Sequence, residues 1–138
     1  MNNHNLYAAL RAAFPTDLDQ VAVEDIEPGG GTGLSYTWRD LDRASAMVAN
    51  LLASLDLPPG ARIAVQVEKS VEAMVLYLAT LRSGFVFLPL NTAYQSAEIA
   101  YFVANAEPAV FVCSPRTHGW VSKIAFTAGT RYVFTLDD

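Results

Sequence analysis

The sequence predicts an α/β fold: a mostly parallel sheet with helices packed on it. Two observations predict it. From residue 62 onward, short apolar runs rich in β-branched and aromatic residues alternate with stretches of helical periodicity, in the order β-α-β-α-β-α-β. The strand-like runs are also apolar at nearly every position, as expected for strands covered on both faces rather than one. Right-handed crossovers follow by default.

Taken in order, Leu6, Leu10 and Phe14, with Ala9 and Ala13, recur at helical spacing until Pro15 stops the helix. Residues 21–26 (VAVEDI) and 34–36 (LSY) read as two strands flanking the turn 28–33, PGGGTG, and pair as a hairpin. Residues 37–55 predict a long helix. Thr37 with Asp40 three residues on forms a capping-box pattern, and Leu41, Ala44, Val48, Leu51, Leu52 and Leu55 form one apolar face. Pro58-Pro59-Gly60 breaks the chain before a strand at 62–67, RIAVQV.

Ser70 is placed to cap the next helix, with Glu72 in its first turn, where the dipole favours a carboxylate. Residues 71–81 are apolar on nearly all sides, which predicts a helix buried all round. Gly84 ends it, and 85–88 reads as a fully apolar strand. Ser96 opens a helix with Ile99, Phe102, Val103 and Ala106 on one stripe, closed by Pro108. A strand at 109–113, a weaker helix at 120–126 and a last strand at 131–135 complete the pattern.

Composition narrows the function. The chain has 138 residues, 52% hydrophobic and 17% charged, enough for one domain with a real core. That apolar share implies surface that packs on further chain. A net charge of −5 with no cluster of Lys or Arg argues against nucleic acid or an anionic membrane as partner. The single cysteine, Cys113, reads as a core residue beneath a strand and fits a reducing cytoplasm. No basic, apolar leader opens the chain and no apolar run approaches membrane-spanning length.

Most motif-like stretches dissolve on inspection. Residues 29–33 are glycine-rich but lead into a strand, whereas a phosphate loop leads into a helix; they read as a hairpin turn. Thr127-Ala-Gly-Thr130 lacks the glycine and lysine of a phosphate loop and reads as a surface turn. His4 and His118 have no metal-ligand spacing around them, so no metal site is expected, and the acidic trio Glu24, Asp25 and Glu27 reads as a solvated turn. Tyr36, Trp38, Tyr77, Tyr94, Tyr101 and Phe102 lack interleaved basic residues and read as packing aromatics. The geometric candidates for a ligand crevice are Lys69, beside Glu68 and Ser70, and Asn91 with Thr92. Each group follows a predicted parallel strand, and open α/β sheets bind ligands outside the carboxyl ends of their strands. The plainer alternative is that Ser70 caps its helix, Lys69 is solvated and Asn91 ties down its own loop.

Two stretches carry a family resemblance. Leu34-Ser-Tyr-Thr-Trp-Arg-Asp-Leu41 resembles an L-[TS]-Y-x-E-L segment, and Leu81-Arg-Ser-Gly-Phe-Val-Phe-Leu-Pro-Leu-Asn91 resembles an L-K-A-G-x-A-Y-x-P-L-[DN] segment, of the adenylate-forming superfamily. Within it, the run from Glu68 to Tyr94, continued by Ala100-Tyr-Phe and Ala106-Glu-Pro108, is most similar to the malonyl-CoA synthetases. Ala61 departs from the Gly-Asp-Arg usual in the family, and Phe85 stands where a small residue is usual.

The resemblance implies the amino-terminal part of the large AMP-binding domain of an acid–CoA ligase. Its substrates and cofactors would be malonate, ATP, Mg²⁺ and CoA, with malonyl-AMP as intermediate. It also implies that the phosphate loop, the ribose and acid-binding residues and the adenylation lysine lie beyond residue 138. No catalytic residue therefore carries over onto this chain. By itself the chain is expected to be inactive, to associate with the remainder of its polypeptide and to self-associate when that is missing. Two alternatives stand beside this: a ligase or adenylation domain for another acid, and a non-enzymatic flavodoxin-like binding module. The module ranks lower, because a receiver of that shape needs an early aspartate pair and a late strand-end lysine, and neither is present.

Overall fold

The computed structural model describes residues 3–137. An amino-terminal helix, α1 (Leu6–Ala12), is followed by an antiparallel hairpin of β1 (Val21–Ile26) and β2 (Thr32–Thr37) and a long helix, α2 (Trp38–Ser54). The sheet proper comprises β3 (Arg62–Gln66), β4 (Val86–Pro89), β5 (Val110–Cys113) and β6 (Tyr132–Thr135), connected through α3 (Val71–Arg82), α4 (Ser96–Ala106) and α5 (His118–Thr127). All four strands are parallel, in the order β4-β3-β5-β6. The alternation predicted from residue 62 onward is therefore the observed one.

Local chemistry explains most boundaries. The capping box at the start of α2 is complete: the Asp40 amide donates to Thr37 Oγ1 (3.1 Å) and the Thr37 amide to Asp40 Oδ2 (2.8 Å). Ser70 Oγ accepts from the Ala73 amide at 3.0 Å and caps α3. Gly84, at φ +77°, supplies the left-handed step that ends α3 and turns the chain into β4. In the hairpin, a Cβ at Gly33 would meet the Asp25 carbonyl oxygen at 2.6 Å, so only glycine lets the two strands approach there.

The sheet separates two layers of core. On one face, α4 and α5 bury Ile99, Val103, Val121 and Ala125 against Ala64, Phe111 and Cys113. On the other, Leu76 of α3, with Val48 of α2 beside it, packs on Ile63, Val65, Val110 and Val112. A third cluster joins α1 to α2 and α3 through Tyr7, Leu41, Val75 and Leu78.

Helix α3 is not buried all round, contrary to what its composition predicts. Met74 is 40% and Tyr77 36% exposed. Their side of α3 overhangs β4, which is an edge strand with Val86 48% exposed. There Tyr77 meets the Phe87 ring edge-on at 5.1 Å, and apolar surface is left facing outward.

Candidate functional site

The strand order creates one distinguished place. The chain steps from β3 through α3 to edge strand β4, then back across β3 through α4 to β5, with α3 and α4 on opposite faces. The carboxyl ends of β3 and β5 thus flank a topological switch point, the position where open α/β sheets form their ligand crevice. Gln66 and Cys113, the last residues of the two strands, are register partners there.

A crevice of about 720 Å³ opens at this end of the sheet, on the α3 side. Lys69, Ser70 and Glu72 line it from the start of α3, Asp25 and Tyr36 from the hairpin, and Thr135 from the end of β6. Of the residues singled out by sequence, Lys69 lies in its wall. Asn91 and Thr92 do not: they sit, exposed, on the loop after β4. Asn91 Oδ1 accepts from the Ala93 amide at 2.9 Å, which shapes that loop locally. Ser70 serves as the helix cap described above.

Gln66 is the functional-looking residue that sequence periodicity passes over. It is 3% exposed, and its Nε2 donates to the carbonyls of Asn91 (2.9 Å) and Tyr94 (3.1 Å), fastening the β4–α4 loop to the switch point. Its Oε1 is buried without a partner among the described residues. A polar residue in the run Ala64-Val65-Gln66-Val67 is the signal that marks it.

The remaining chemistry is structural. Cys113 is fully buried with Sγ 3.7 Å from the Phe134 carbonyl, and burial pushes its thiol pKa up against a smaller opposing hydrogen bond from Thr117. Of the two glycine-containing stretches, 29–31 lie in the turn that closes the hairpin while residues 32 and 33 already belong to β2, and Thr127 ends α5, leaving 128–131 to join it to β6. Among the described residues no group of three His, Cys, Asp or Glu is placed to hold a metal ion. Nor is any helix long and apolar enough to cross a membrane. Tyr94 stacks on Phe102 (5.2 Å) and Trp38 meets Phe14 at a tilt (4.7 Å), so these aromatics pack within the chain.

A doubly wound parallel sheet preceded by a hairpin and a capped helix is the amino-terminal architecture of the adenylate-forming enzymes. The model of the AMP-binding enzyme family matches residues 10–133. The chain belongs to that family.

Solved structures of MatB from Rhodopseudomonas palustris, apo and ATP-bound, overlay on 99% of this chain with a TM-score of 0.85 and 42% identity. The medium-chain fatty-acid–CoA ligase of Escherichia coli is 33% identical over 93 residues, 67% of this chain. A nonribosomal peptide synthetase of Pyrenophora dematioidea is 33% identical over 120 residues, 87% of this chain. The chain spans 26% of the MatB structures, 16% of the E. coli ligase and 8% of the peptide synthetase.

Proposed function

We propose that residues 1–138 form the amino-terminal portion of the AMP-binding domain of a cytoplasmic, ATP-dependent acid–CoA ligase, and that the acid is malonate. The overlay with MatB over 99% of the chain at 42% identity carries this reading. The run from Glu68 to Tyr94, similar to the malonyl-CoA synthetases, supports it.

In that reaction a malonate oxygen attacks the α-phosphorus of ATP and pyrophosphate leaves, giving malonyl-AMP. The thiol of CoA then attacks the acyl carbon, forming the thioester and releasing AMP. Mg²⁺, when bound, neutralises phosphate charge in such transfers. Among the described residues no group of three His, Cys, Asp or Glu is gathered, and no step through Mg²⁺ is assigned to this chain. Here the chain supplies the platform: a parallel sheet, with Lys69 in the wall of the crevice at its carboxyl edge and the Asn91–Thr92 loop fastened to Gln66 at the end of β3.

By itself the chain is inactive and self-associates through apolar surface that includes Leu34, Met47 and Leu51, 68%, 73% and 51% exposed. The test is AMP release from ATP, CoA and Mg²⁺ with malonate, methylmalonate or acetate. It is run on the full-length polypeptide, with this chain as control and its mass in solution measured. AMP with malonate from the full-length protein alone is expected. AMP with acetate and not malonate would keep the ligase and change the acid. A monomeric, active 138-residue chain would overturn the passive role.

A further inference from the structure

Between α1 and the last turn of α3 lies a cleft of about 590 Å³, lined by Asn3, Asn5, Tyr7, Arg11, Ala12 and Arg82. Its two guanidinium groups share one carboxylate: Arg82 Nη1 is 3.0 Å and Arg11 Nε 3.4 Å from Asp42 Oδ1. That same oxygen also accepts the Tyr7 hydroxyl at 2.5 Å, so three donors converge on Asp42 Oδ1. Arg82 bonds Tyr7, Asp42 and Ser45 through Nη1 alone. Its Nε and Nη2, and both terminal nitrogens of Arg11, have no acceptor among the described residues, and the two side chains are 31% and 38% exposed.

The polar lining adds donors rather than acceptors. Asn3 Oδ1 already accepts from the Asn5 amide, leaving its own NH₂ group without an acceptor among the described residues. Asn5 is satisfied at both ends, by the Tyr7 amide and the Leu81 carbonyl. The cleft thus offers N–H groups in excess and one uncompensated positive charge, in a chain whose net charge is −5. A guanidinium edge of this kind matches the paired oxygens of a phosphate or carboxylate. We propose that this cleft binds a small oxyanion of phosphate or carboxylate chemistry, held between Arg11 and Arg82. The proposal stands apart from the ligase reading.

It is tested by following the Nε–H resonances of both arginines while sodium phosphate, glycerol 3-phosphate or sodium acetate is added to the 138-residue chain. Sodium chloride at equal ionic strength is the control. Saturable shifts at Arg11 and Arg82 with any of the three anions are expected. The anion that binds most tightly tells a phosphate monoester from free phosphate or a carboxylate. Arg11→Met is expected to weaken binding about tenfold, the loss of one charge-assisted contact, whereas Lys123→Met is expected to leave it unchanged. Shifts that only track chloride, or full affinity in Arg11→Met, would overturn the site. Should Arg11→Met fail to fold, Asn3→Ala removes a donor without touching an ion pair, and full affinity in that variant would overturn the site equally.

Discussion

Arg82, in the last turn of α3, and Asp42, in the second turn of α2, are joined at 3.0 Å, and the Arg82 guanidinium lies over the Tyr7 ring of α1, 4.6 Å from its centroid. Three helices meet on this pair. Each partner is about a quarter to a third exposed, so the pair is neither fully desolvated nor freely solvated.

Arg82→Met keeps the apolar stem of the side chain and removes the charge and four hydrogen bonds. A buried pair broken this way costs about 3–5 kcal/mol and a surface pair under about 1, so a loss of about 1–3 kcal/mol is expected at this intermediate depth. Urea unfolding of the chain measures it. The exposed pair Arg39–Asp19, at 2.7 Å, serves as comparison: Arg39→Met should leave the midpoint unmoved.

The same cluster sets an acid limit. Burial pushes the Asp42 carboxyl up. Hydrogen bonds from Tyr7 and Arg82, with the charges of Arg11 and Arg82, outweigh it and hold the carboxyl below its ordinary value. A depressed carboxylate contributes stability above its unfolded value of about 3.9, and that contribution is lost as pH falls further through the folded value. The urea midpoint should therefore drop below about pH 4. Asp42→Asn should start lower at neutral pH and fall less steeply in acid. Some slope will remain, because Asp19 and Asp40 are also held low, by Arg39 and by Thr37. An equal acid slope in Asp42→Asn would remove Asp42 from the account.

What could be read from the sequence was local. Thr37 and Asp40 announce their cap because both partners lie within four residues, and Gly84 announces the end of α3 because only the backbone at that position matters. What could not be read was pairing across the chain. Nothing near Arg82 points to Asp42 or Tyr7, 40 and 75 residues away. The apolar run that becomes β4 looks like a central strand, yet β3 and β5 hold the centre. Met74 and Tyr77 are apolar on the outward side of α3, and composition alone cannot tell a face covered by this chain from one left open. At the candidate site, the strand-end rule led to Lys69, which lines the crevice, and to Asn91 and Thr92, which do not. Gln66 was passed over because periodicity scores apolar positions, and its importance comes from a loop 25 residues away.

Cys113 should be silent in the folded chain. Its side chain is fully buried between the sheet and α5, and burial raises the thiol pKa, so both access and thiolate are scarce. A disulfide reagent such as dithionitrobenzoate should release no thiolate chromophore from the native chain and one equivalent once urea has unfolded it. Rapid labelling in buffer would mean that β5 and α5 separate readily.

Gln66 offers the sharpest test of how the switch point is held. Its Nε2 donates to two loop carbonyls while its buried Oε1 has no donor among the described residues, so one amide both fastens the β4–α4 loop and carries an unsatisfied atom. Gln66→Leu removes both features. The lost hydrogen bonds and the relieved oxygen oppose each other, and a net loss of about 1 kcal/mol is expected, with faster amide exchange at Ala93 and Tyr94. Gln66→Glu instead sets a carboxylate against the Asn91 and Tyr94 carbonyls. At neutral pH it should cost about 2–4 kcal/mol, because a buried charge would then face only acceptors. The introduced carboxyl would have its folded pKa raised, so its variant should gain stability as pH falls and lose it as pH rises through that value, opposite in sign to Asp42. Urea midpoints at pH 4.5 and 7.5 separate the two. A glutamate variant as stable as the leucine variant at both pH values would show that the loop moves aside, and that Gln66 does not hold it.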